Sequence, residues 1–280
     1  MRLISYRSER GDRAGVLRDD LVVDAGDALG DGPATVRGLL GAGALDALRS
    51  ALGGAEPVAG LADVELLPPI PDPEKIICIG LNYSAHAVEA GIDPPSVPTF
   101  FAKFRNALVA DGATVRLPAS SSKVDYEAEV AFIVGLTAKE VGEEDALDHV
   151  AGFMLLNDLS ARDLQFATPQ WLPGKVFDGS APCGPALVTA DEVGPPDAIG
   201  LSLDLDGRRL QEATTVDLIF GVSELLSHLS TLMTLVPGDI VSTGTPAGVG
   251  STREPRVWLE PGDEIVVGSP QLGELRTTIG

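Results

Sequence analysis

The sequence is poor in cysteine, in basic residues and in long apolar runs. Its two cysteines, Cys78 and Cys183, lie far apart and in no metal-binding spacing, which argues against a disulfide framework and favours a reducing compartment. Only 20 Lys and Arg stand against 41 Asp and Glu, and the formal net charge is −21. Because no basic block occurs anywhere, nucleic acids and anionic membrane surfaces are not expected as partners.

No apolar run reaches the roughly 20 residues that a membrane span needs. The amino terminus also lacks a basic segment followed by an apolar stretch and a small-residue cleavage site. We therefore expect a protein of the cytoplasm that acts on a small molecule. A chain of 280 residues suffices for one large domain, or for one domain with a small appendage.

Apolar periodicity predicts two domains in an α+β fold that is mainly β. Residues 1–68 form a small N-terminal α+β domain, with strands at Met1–Tyr6, Ala14–Leu17 and Leu21–Asp24 and a helix at Val36–Leu52. The proline-rich stretch L-L-P-P-I-P-D-P then marks a linker, and residues 69–280 form the larger domain. The patterns there predict strands joined by tight turns, at Lys75–Gly80, Ala186–Val188, Leu201–Leu205, Ile240–Thr243 and Asp263–Val267, and one amphipathic helix at Ile219–Leu235.

The segment Val124–Val134 reads V-D-Y-E-A-E-V-A-F-I-V and is typical of a β-strand. Because side chains two positions apart point to the same face of a strand, Glu127 and Glu129 are predicted to lie side by side, opposite the apolar residues that alternate with them. Two carboxylates this close either retain a proton or share a cation. A glutamate pair alone more often marks the solvated face of an antiparallel strand. The choice between such a face and a cation site therefore depends on other residues.

Asp158 stands where the apolar run of residues 151–156 has just ended. On its own it would be interpreted as a helix N-cap. Arg162 and Gln165, four and seven residues later, would then share one face of that helix. Together with Glu127 and Glu129, Asp158 completes a set of three carboxylates without histidine or cysteine. Such an all-oxygen set suits Mg²⁺ or Mn²⁺ rather than zinc.

His86 and Glu89 lie three residues apart on a predicted helix that Ser84 caps and Gly91 ends. At this spacing the two side chains can touch. The pair is either an ordinary surface pair or part of a site, and its position directly after a buried strand favours the site.

Three further polar residues have two interpretations each. Lys103, in P-T-F-F-A-K-F-R-N-A-L, is either a solvated cation or a substrate contact. Lys175, between a glycine and an apolar pair, is either an exposed loop cation or a charge that supports the acids. Thr245 lies in T-G-T-P-A-G-V-G, which lacks the lysine of a phosphate loop, but whose amides and hydroxyl could hold a carboxylate.

Five motifs in this order resemble the fumarylacetoacetate hydrolase superfamily. They are N-Y-x-x-H-x-x-E, D-Y-E-A-E, N-D-x-S-A-R-D-x-Q, Q-W-x-x-G-K-x-F-D and P-G-D-x-V-x-T-G-T-P-x-G-V-G, within residues 74–280. The resemblance implies a catalytic domain of the mixed β-sandwich roll type, a homodimer, and Mg²⁺ or Mn²⁺ on the three acids. Asn82 stands where the founding enzyme has a fourth acidic ligand, so the chain resembles the branch with three carboxylates.

The residues and the resemblance together predict one site, with His86 and Glu89 on a segment that orders over bound ligand. Its predicted members are the metal ligands Glu127, Glu129 and Asp158, the catalytic residues His86, Glu89 and Lys175, and the substrate contacts Tyr83, Lys103, Arg162, Gln165 and Thr245.

Several reactions share the chemistry of such a site. A divalent cation with open positions would bind the carboxylate and ketone oxygens of a 2-oxo acid and stabilise its enolate. We expect hydrolysis of a C–C bond in acylpyruvate-like or 2,4-dioxo acids, by a water that His86, oriented by Glu89, deprotonates. Proton movement without water would instead give a keto–enol or double-bond isomerase, for example of 2-hydroxy-dienedioate-type acids from aromatic catabolism. Loss of CO₂ would give an oxaloacetate decarboxylase. A non-catalytic metal-binding protein is a further interpretation, against which the complete set of acids, base and lysine argues.

Overall fold

The computed structural model describes all residues from 1 to 280 and is built mainly from β-strands. The three strands predicted near the amino terminus are present. The single helix predicted over residues 36–52 is wrong, because the chain leaves the helix after Gly41 and Gly43 adopts a left-handed conformation with φ of 60°. The elements of residues 1–68 are β1 (Arg2–Ser8), β2 (Gly11–Arg18), β3 (Leu21–Asp24), α1 (Ala25–Ala28), α2 (Val36–Gly41), α3 (Leu45–Ala51), β4 (Ala59–Gly60) and β5 (Glu65–Leu67).

The rest of the chain alternates strands with a few short helices. The polar stretch before residue 150 forms a short 3₁₀-helix, Glu143–His149. The elements are β6 (Ile76–Gly80), α4 (Ser84–Ala90), β7 (Thr99–Lys103), β8 (Leu108–Val109), β9 (Ala113–Val115), β10 (Val124–Asp125), β11 (Ala128–Val134), β12 (Val150–Asn157), β13 (Ser160–Ala161), α5 (Arg162–Gln165), β14 (Ala181–Thr189), α6 (Ala190–Val193), β15 (Gly200–Leu205), β16 (Arg208–Thr214), α7 (Val222–Leu232), β17 (Ile240–Ser242), β18 (Glu264–Ser269) and β19 (Gly273–Ile279).

Two sheets pack face to face over the main hydrophobic core. The large sheet has twelve strands, ten of them in the order β4-β3-β2-β1-β14-β12-β11-β17-β6-β7, with β5 paired to β1 and β8 to β14. The second sheet has the order β16-β15-β18-β19-β9. A cluster of 36 buried residues fills the space between them and includes Leu203, Val267 and Leu275 of the second sheet. Helix α7 contributes its apolar stripe to the same cluster, although Leu232 at its end is 55% exposed.

Strand β11 is buried on both faces, at the centre of the large sheet. Val130 and Phe132 belong to the main core, whereas Ala131 and Ile133 belong to a second cluster of 23 residues on the opposite face. This alternation confirms that Glu129 points away from Val130 and Phe132. The wet face of an ordinary surface strand is therefore excluded as the reason for the glutamate pair.

The N-terminal strands extend the large sheet. Strand β1 pairs antiparallel with β14, with Arg2 opposite Val188 and Leu3 opposite Leu187. The second cluster contains residues from both parts of the chain, such as Leu39 of α2 and Cys78 of β6. The division at residue 68 stays a prediction. Helices long and apolar enough to cross a membrane do not occur in the structure.

Candidate metal centre and active site

Three buried carboxylates meet where strand β11 begins and strand β12 ends. Glu127 lies in the two-residue break between β10 and β11, Glu129 lies in β11, and Asp158 follows β12 directly. The backbone N–H of Asp158 donates to the carbonyl of Glu127 at 2.9 Å, which brings the two acids together. Glu127, Glu129 and Asp158 are each 4% exposed or less as whole residues, and one ligand oxygen of each lies within 4.8 Å of the others.

Two lysines lie against this acidic cluster. Lys175 Nζ donates to Glu127 Oε2 at 2.6 Å and to Asp158 Oδ2 at 2.7 Å. Lys103 Nζ donates to Asp158 Oδ1 at 2.6 Å. Both ammonium groups are buried, so neither lysine is a solvated cation, and Lys175 contacts two of the acids as the resemblance implied.

Glu129 is the one acid of the cluster without an ion pair. It accepts hydrogen bonds from Ser242 Oγ at 2.5 Å and from Gly244 N at 3.0 Å. Burial, together with the charges of Asp158 and Glu127, raises the pKa of Glu129. Burial would raise the pKa of Glu127 as well, but Arg162 and Lys175 lower it. The cluster therefore lacks positive charge on the Glu129 side.

The donor set fits a hard divalent cation. Three carboxylate oxygens converge in a buried place, and Mg²⁺ and Mn²⁺ prefer oxygen ligands. A cation there would allow Glu129 to ionise beside its two neighbours. Asn82 does not belong to this set, because its amide is fully used in hydrogen bonds with Phe220 and with the carbonyl of Thr243.

Arg162 lies at the start of its helix and not one turn into a helix that begins at Asp158. Helix α5 begins at Arg162, so Asp158 is not its N-cap and does not share its face. The guanidinium instead donates from Nε to Asp125 Oδ2 at 2.9 Å, from Nη2 to Glu127 Oε1 at 2.7 Å and from Nη1 to Gln165 Oε1 at 2.9 Å. Arg162 and Gln165 thus lie at the cluster, although the spacing argument that linked them to Asp158 was wrong.

Asp125 is a site residue that sequence reasoning missed. Its buried carboxylate accepts from Arg162 and also from the backbone N–H groups of Gly250 and Ser251, at 2.7 and 3.0 Å. A carboxylate inside an apolar strand segment needs such partners, and that requirement is the signal that the sequence offered. Asp125 joins the loop at residue 250 to the side chain of Arg162.

His86 and Glu89 touch as predicted. Helix α4 presents them on one face, and His86 Nδ1 lies 3.3 Å from Glu89 Oε2. The predicted Ser84 cap is wrong, because Tyr83 is the N-cap residue and no side chain caps the helix, whereas Gly91 ends it with φ of 67° as expected. Glu89 also accepts from the backbone N–H of Gly248 at 3.0 and 3.1 Å, which fixes α4 to the glycine-rich loop.

One cavity of about 570 Å³ connects these groups. The three acids line it together with His86, Lys175, Arg162, Gln165 and Thr245. Thr245 is oriented by a hydrogen bond from Gln211 Nε2 to its Oγ1 at 2.8 Å. Other lining residues, which were not predicted as site residues, include Lys123, Asp163, Trp171, Arg256 and Trp258.

Three predicted site residues lie outside the cavity wall. Glu89 lies behind His86, and Lys103 lies behind Asp158. Tyr83 is 1% exposed, and its hydroxyl has no hydrogen-bond partner. Substrate contact by Tyr83 or Lys103 therefore has no geometric support in this structure.

Comparison with known proteins identifies the family. Residues 75–280 match the family model described as Fumarylacetoacetate (FAA) hydrolase C-terminal. Oxaloacetate tautomerase fahd2, mitochondrial, of Xenopus laevis is 40% identical over 242 residues, which cover 86% of this chain and 76% of that protein.

Two solved structures superpose over the whole chain. The fumarylacetoacetate hydrolase of psychrophilic Exiguobacterium antarcticum has a TM-score of 0.88 at 30% identity, and the match covers 100% of this chain and 99% of that one. The maleylpyruvate hydrolase of Sphingobium sp. SYK-6, solved in complex with manganese(II) ion and pyruvate, has a TM-score of 0.81 at 31% identity, with 100% and 98% covered. The chain is therefore an enzyme of the fumarylacetoacetate hydrolase superfamily.

Proposed function

We propose that this enzyme is a divalent-metal-dependent keto–enol tautomerase of oxaloacetate or a closely related 2-oxo dicarboxylic acid. The observation that carries the proposal is the position of His86, an oriented base in the wall of the cavity that the acidic cluster lines. The relative from Xenopus laevis, at 40% identity, is named an oxaloacetate tautomerase. Proton movement is thus favoured over the C–C hydrolysis that the sequence alone suggested.

The acidic cluster supplies the electrophilic end of the site. Glu127, Glu129 and Asp158 would hold Mg²⁺ or Mn²⁺, which supplies Lewis acidity toward the carbonyl and carboxylate oxygens of a 2-oxo acid. Lys175 and Arg162 keep Glu127 ionised, because both cations contact its carboxylate. The enzyme's own cations thereby hold one ligand ready in its anionic form.

His86 is the group that moves the proton. Its Nδ1 contacts Glu89, and its Nε2 makes no hydrogen bond within the protein. In the direction from keto to enol, Nε2 accepts a proton from C3, and the ring then delivers that proton to the oxygen on C2. A C–H bond is broken and an O–H bond forms, and no water is consumed.

Glu89 positions and supports that base. Burial would raise the pKa of Glu89, but hydrogen bonds with His86 and with the backbone of Gly248 lower it. An anion at this place fixes the ring orientation and stabilises the imidazolium that forms during proton transfer.

Hydrolysis of a 2,4-dioxo acid is the second candidate, and the size of the cavity favours it. A volume of about 570 Å³ leaves room beyond a four-carbon acid for a larger acyl group and a water molecule. The maleylpyruvate hydrolase of Sphingobium sp. SYK-6 also superposes over the whole chain. In this reaction His86 would deprotonate water rather than C3.

A direct assay follows the ultraviolet absorbance of enol-oxaloacetate with Mn²⁺, with Mg²⁺ and with a chelator. The wild type should accelerate the approach to the keto–enol equilibrium only with metal, without early release of pyruvate and CO₂. His86→Gln should lower the rate by about 10²–10⁴-fold, the usual contribution of a general base. His228→Gln, on helix α7 and outside the cavity, is the matched control.

The same preparation discriminates the other reactions. If pyruvate formed at the rate at which the enol disappears, the enzyme would be a decarboxylase rather than a tautomerase. Rapid release of acetate and pyruvate from acetylpyruvate would favour the hydrolase. A wild-type rate in His86→Gln would remove His86 from the mechanism. The homodimer and the cytoplasmic location stay predictions, and the relative from Xenopus laevis is named as mitochondrial.

A further inference from the structure

Two cations at the cavity have no partner within the protein. Most of the 20 Lys and Arg side chains make ion pairs, and Arg18 and Arg253 donate to backbone carbonyls. Five make neither ion pair nor side-chain hydrogen bond, and two of these five, Lys123 and Arg256, line the cavity. Both are exposed at its rim. In a chain with net charge −21, unpaired cations at the cavity indicate that it receives an anionic ligand.

Backbone hydrogen bonds hold the segments of these two residues together. Leu259 N donates to the carbonyl of Val124 at 2.9 Å, which places the chain after Arg256 beside the strand that follows Lys123. Val257 N donates to the carbonyl of Gly250 at 3.0 Å. Gly250 N in turn donates to the carboxylate of Asp125, which holds this loop in place. The rim is thus built on the same framework that positions Arg162.

The charges of the cavity fall into an inner and an outer group. In the inner group, Lys175 and Arg162 are each matched by two acids. In the outer group, Asp163 is the only acid of the lining, and it accepts hydrogen bonds from Ser121 Oγ and Ser122 N at 2.6 and 3.3 Å. Because two cations, Lys123 and Arg256, stand against this single carboxylate, the rim has an excess of positive charge.

We propose that Arg256, assisted by Lys123, binds the distal carboxylate of a dicarboxylic 2-oxo acid and thereby selects dicarboxylates over monocarboxylates. The inference rests on the proposed function, in which the 2-oxo acid end lies at the acidic cluster. A guanidinium matches a carboxylate in bidentate geometry, and partial enclosure in the cavity strengthens such a pair relative to an open surface. Arg256 is thus a specificity-determining residue.

The test compares two ligands that differ only at the distal group. Oxaloacetate carries a carboxylate where 2-oxobutyrate carries a methyl group. Binding of each to the Mn²⁺-loaded protein is read from intrinsic fluorescence, because both tryptophans of the chain, Trp171 and Trp258, line the cavity. Arg256→Gln should raise the Kd of oxaloacetate about tenfold, whereas the Kd of 2-oxobutyrate should change less than about twofold. Arg256→Lys should restore part of the affinity.

Arg116→Gln is the matched control, because Arg116 is an exposed arginine without a partner and lies outside the cavity. An equal change of both Kd values in Arg256→Gln, or the same change in Arg116→Gln, would overturn the proposal. If the wild type lacks tautomerase activity but Arg256→Gln still lowers the preference for oxaloacetate, the proposed function fails and the carboxylate site stands. If tautomerase activity is present and the preference is unchanged, only the carboxylate site fails.

Discussion

Replacing Glu129 by glutamine should separate cation binding from folding. The Glu129 carboxylate accepts two hydrogen bonds, from Ser242 Oγ and Gly244 N, and makes no ion pair. A glutamine side chain has the same shape and can accept both bonds. Because burial and the neighbouring acids raise the pKa of Glu129, a neutral amide removes a repulsive charge. We therefore expect the metal-free Glu129→Gln protein to be at least as stable as the metal-free wild type.

The expected effect on the metal-loaded protein can be estimated. A cation at 100 times its Kd adds about 2.7 kcal/mol to the free energy of unfolding. At about 2–4 °C per kcal/mol, the wild type should gain about 5–10 °C in Tm. Mutation of residues that hydrogen-bond to metal ligands typically lowers metal affinity roughly 10–100-fold. Loss of one of three carboxylate ligands should lower the affinity by at least the upper end of that range. At a 100-fold loss, the same cation concentration adds only about 0.4 kcal/mol.

Thermal unfolding with Mn²⁺ and with a chelator measures both quantities. The control is Glu264→Gln, which removes an exposed glutamate without an ion pair from strand β18 and should keep the full metal shift. The reasoning would be refuted if Glu129→Gln kept the wild-type shift. A metal-free Glu129→Gln protein that melts several degrees below the wild type would refute it equally.

Two further predictions concern the N-terminal part and the rim loop. Burial would raise the pKa of Asp24, but hydrogen bonds from Arg13 and Tyr6 lower it from 3.8 to about 2. This lowered pKa stabilises the folded protein by about 2 kcal/mol above pH 4, and the stabilisation is lost as the pH falls through 2. In urea titrations, Asp24→Asn should therefore lower the free energy of unfolding at pH 7 but hardly at pH 2. An equal loss at both pH values would contradict it. At Gly250 a Cβ would lie 2.0 Å from the Val257 carbonyl, so Gly250→Ala should cost about 1–3 kcal/mol and weaken oxaloacetate binding in the fluorescence titration. Wild-type stability and affinity would contradict that prediction.

The acidic cluster could be predicted because its evidence is local. Alternation along the predicted strand placed Glu127 and Glu129 on one side, and their carboxylates do meet, although Glu127 lies just before β11 rather than within it. The pairing of His86 with Glu89 is local too, since three residues separate them on one helix. Periodicity carries this kind of information directly from sequence to structure.

The surroundings of the cluster depend on pairings that the sequence does not display. Asp158 was assigned to a helix that in fact begins at Arg162, because residues 160 and 161 pair with residues 124 and 125 to form a two-stranded sheet. Asp125 was missed because its partners, Arg162 and the amides at Gly250 and Ser251, come from distant parts of the chain. Hydrophobic patterning says nothing about such contacts.

The rim of the cavity was also beyond prediction. Arg256 and Trp258 lie in an irregular segment, where neither helical nor strand periodicity assigns a direction to a side chain. Their place follows from backbone bonds to Gly250 and Val124. Loops that are positioned in this way by a rigid sheet are where specificity is commonly determined.

The most direct test of the metal platform is a crystal structure of the protein with Mn²⁺ and pyruvate, phased or checked by the anomalous signal of manganese. We predict one strong anomalous peak bonded to an oxygen of each of Glu127, Glu129 and Asp158, with pyruvate completing the coordination. A peak elsewhere, or a cluster in which Lys175 bridges Glu127 and Asp158 without a metal ion at saturating Mn²⁺, would contradict the assignment.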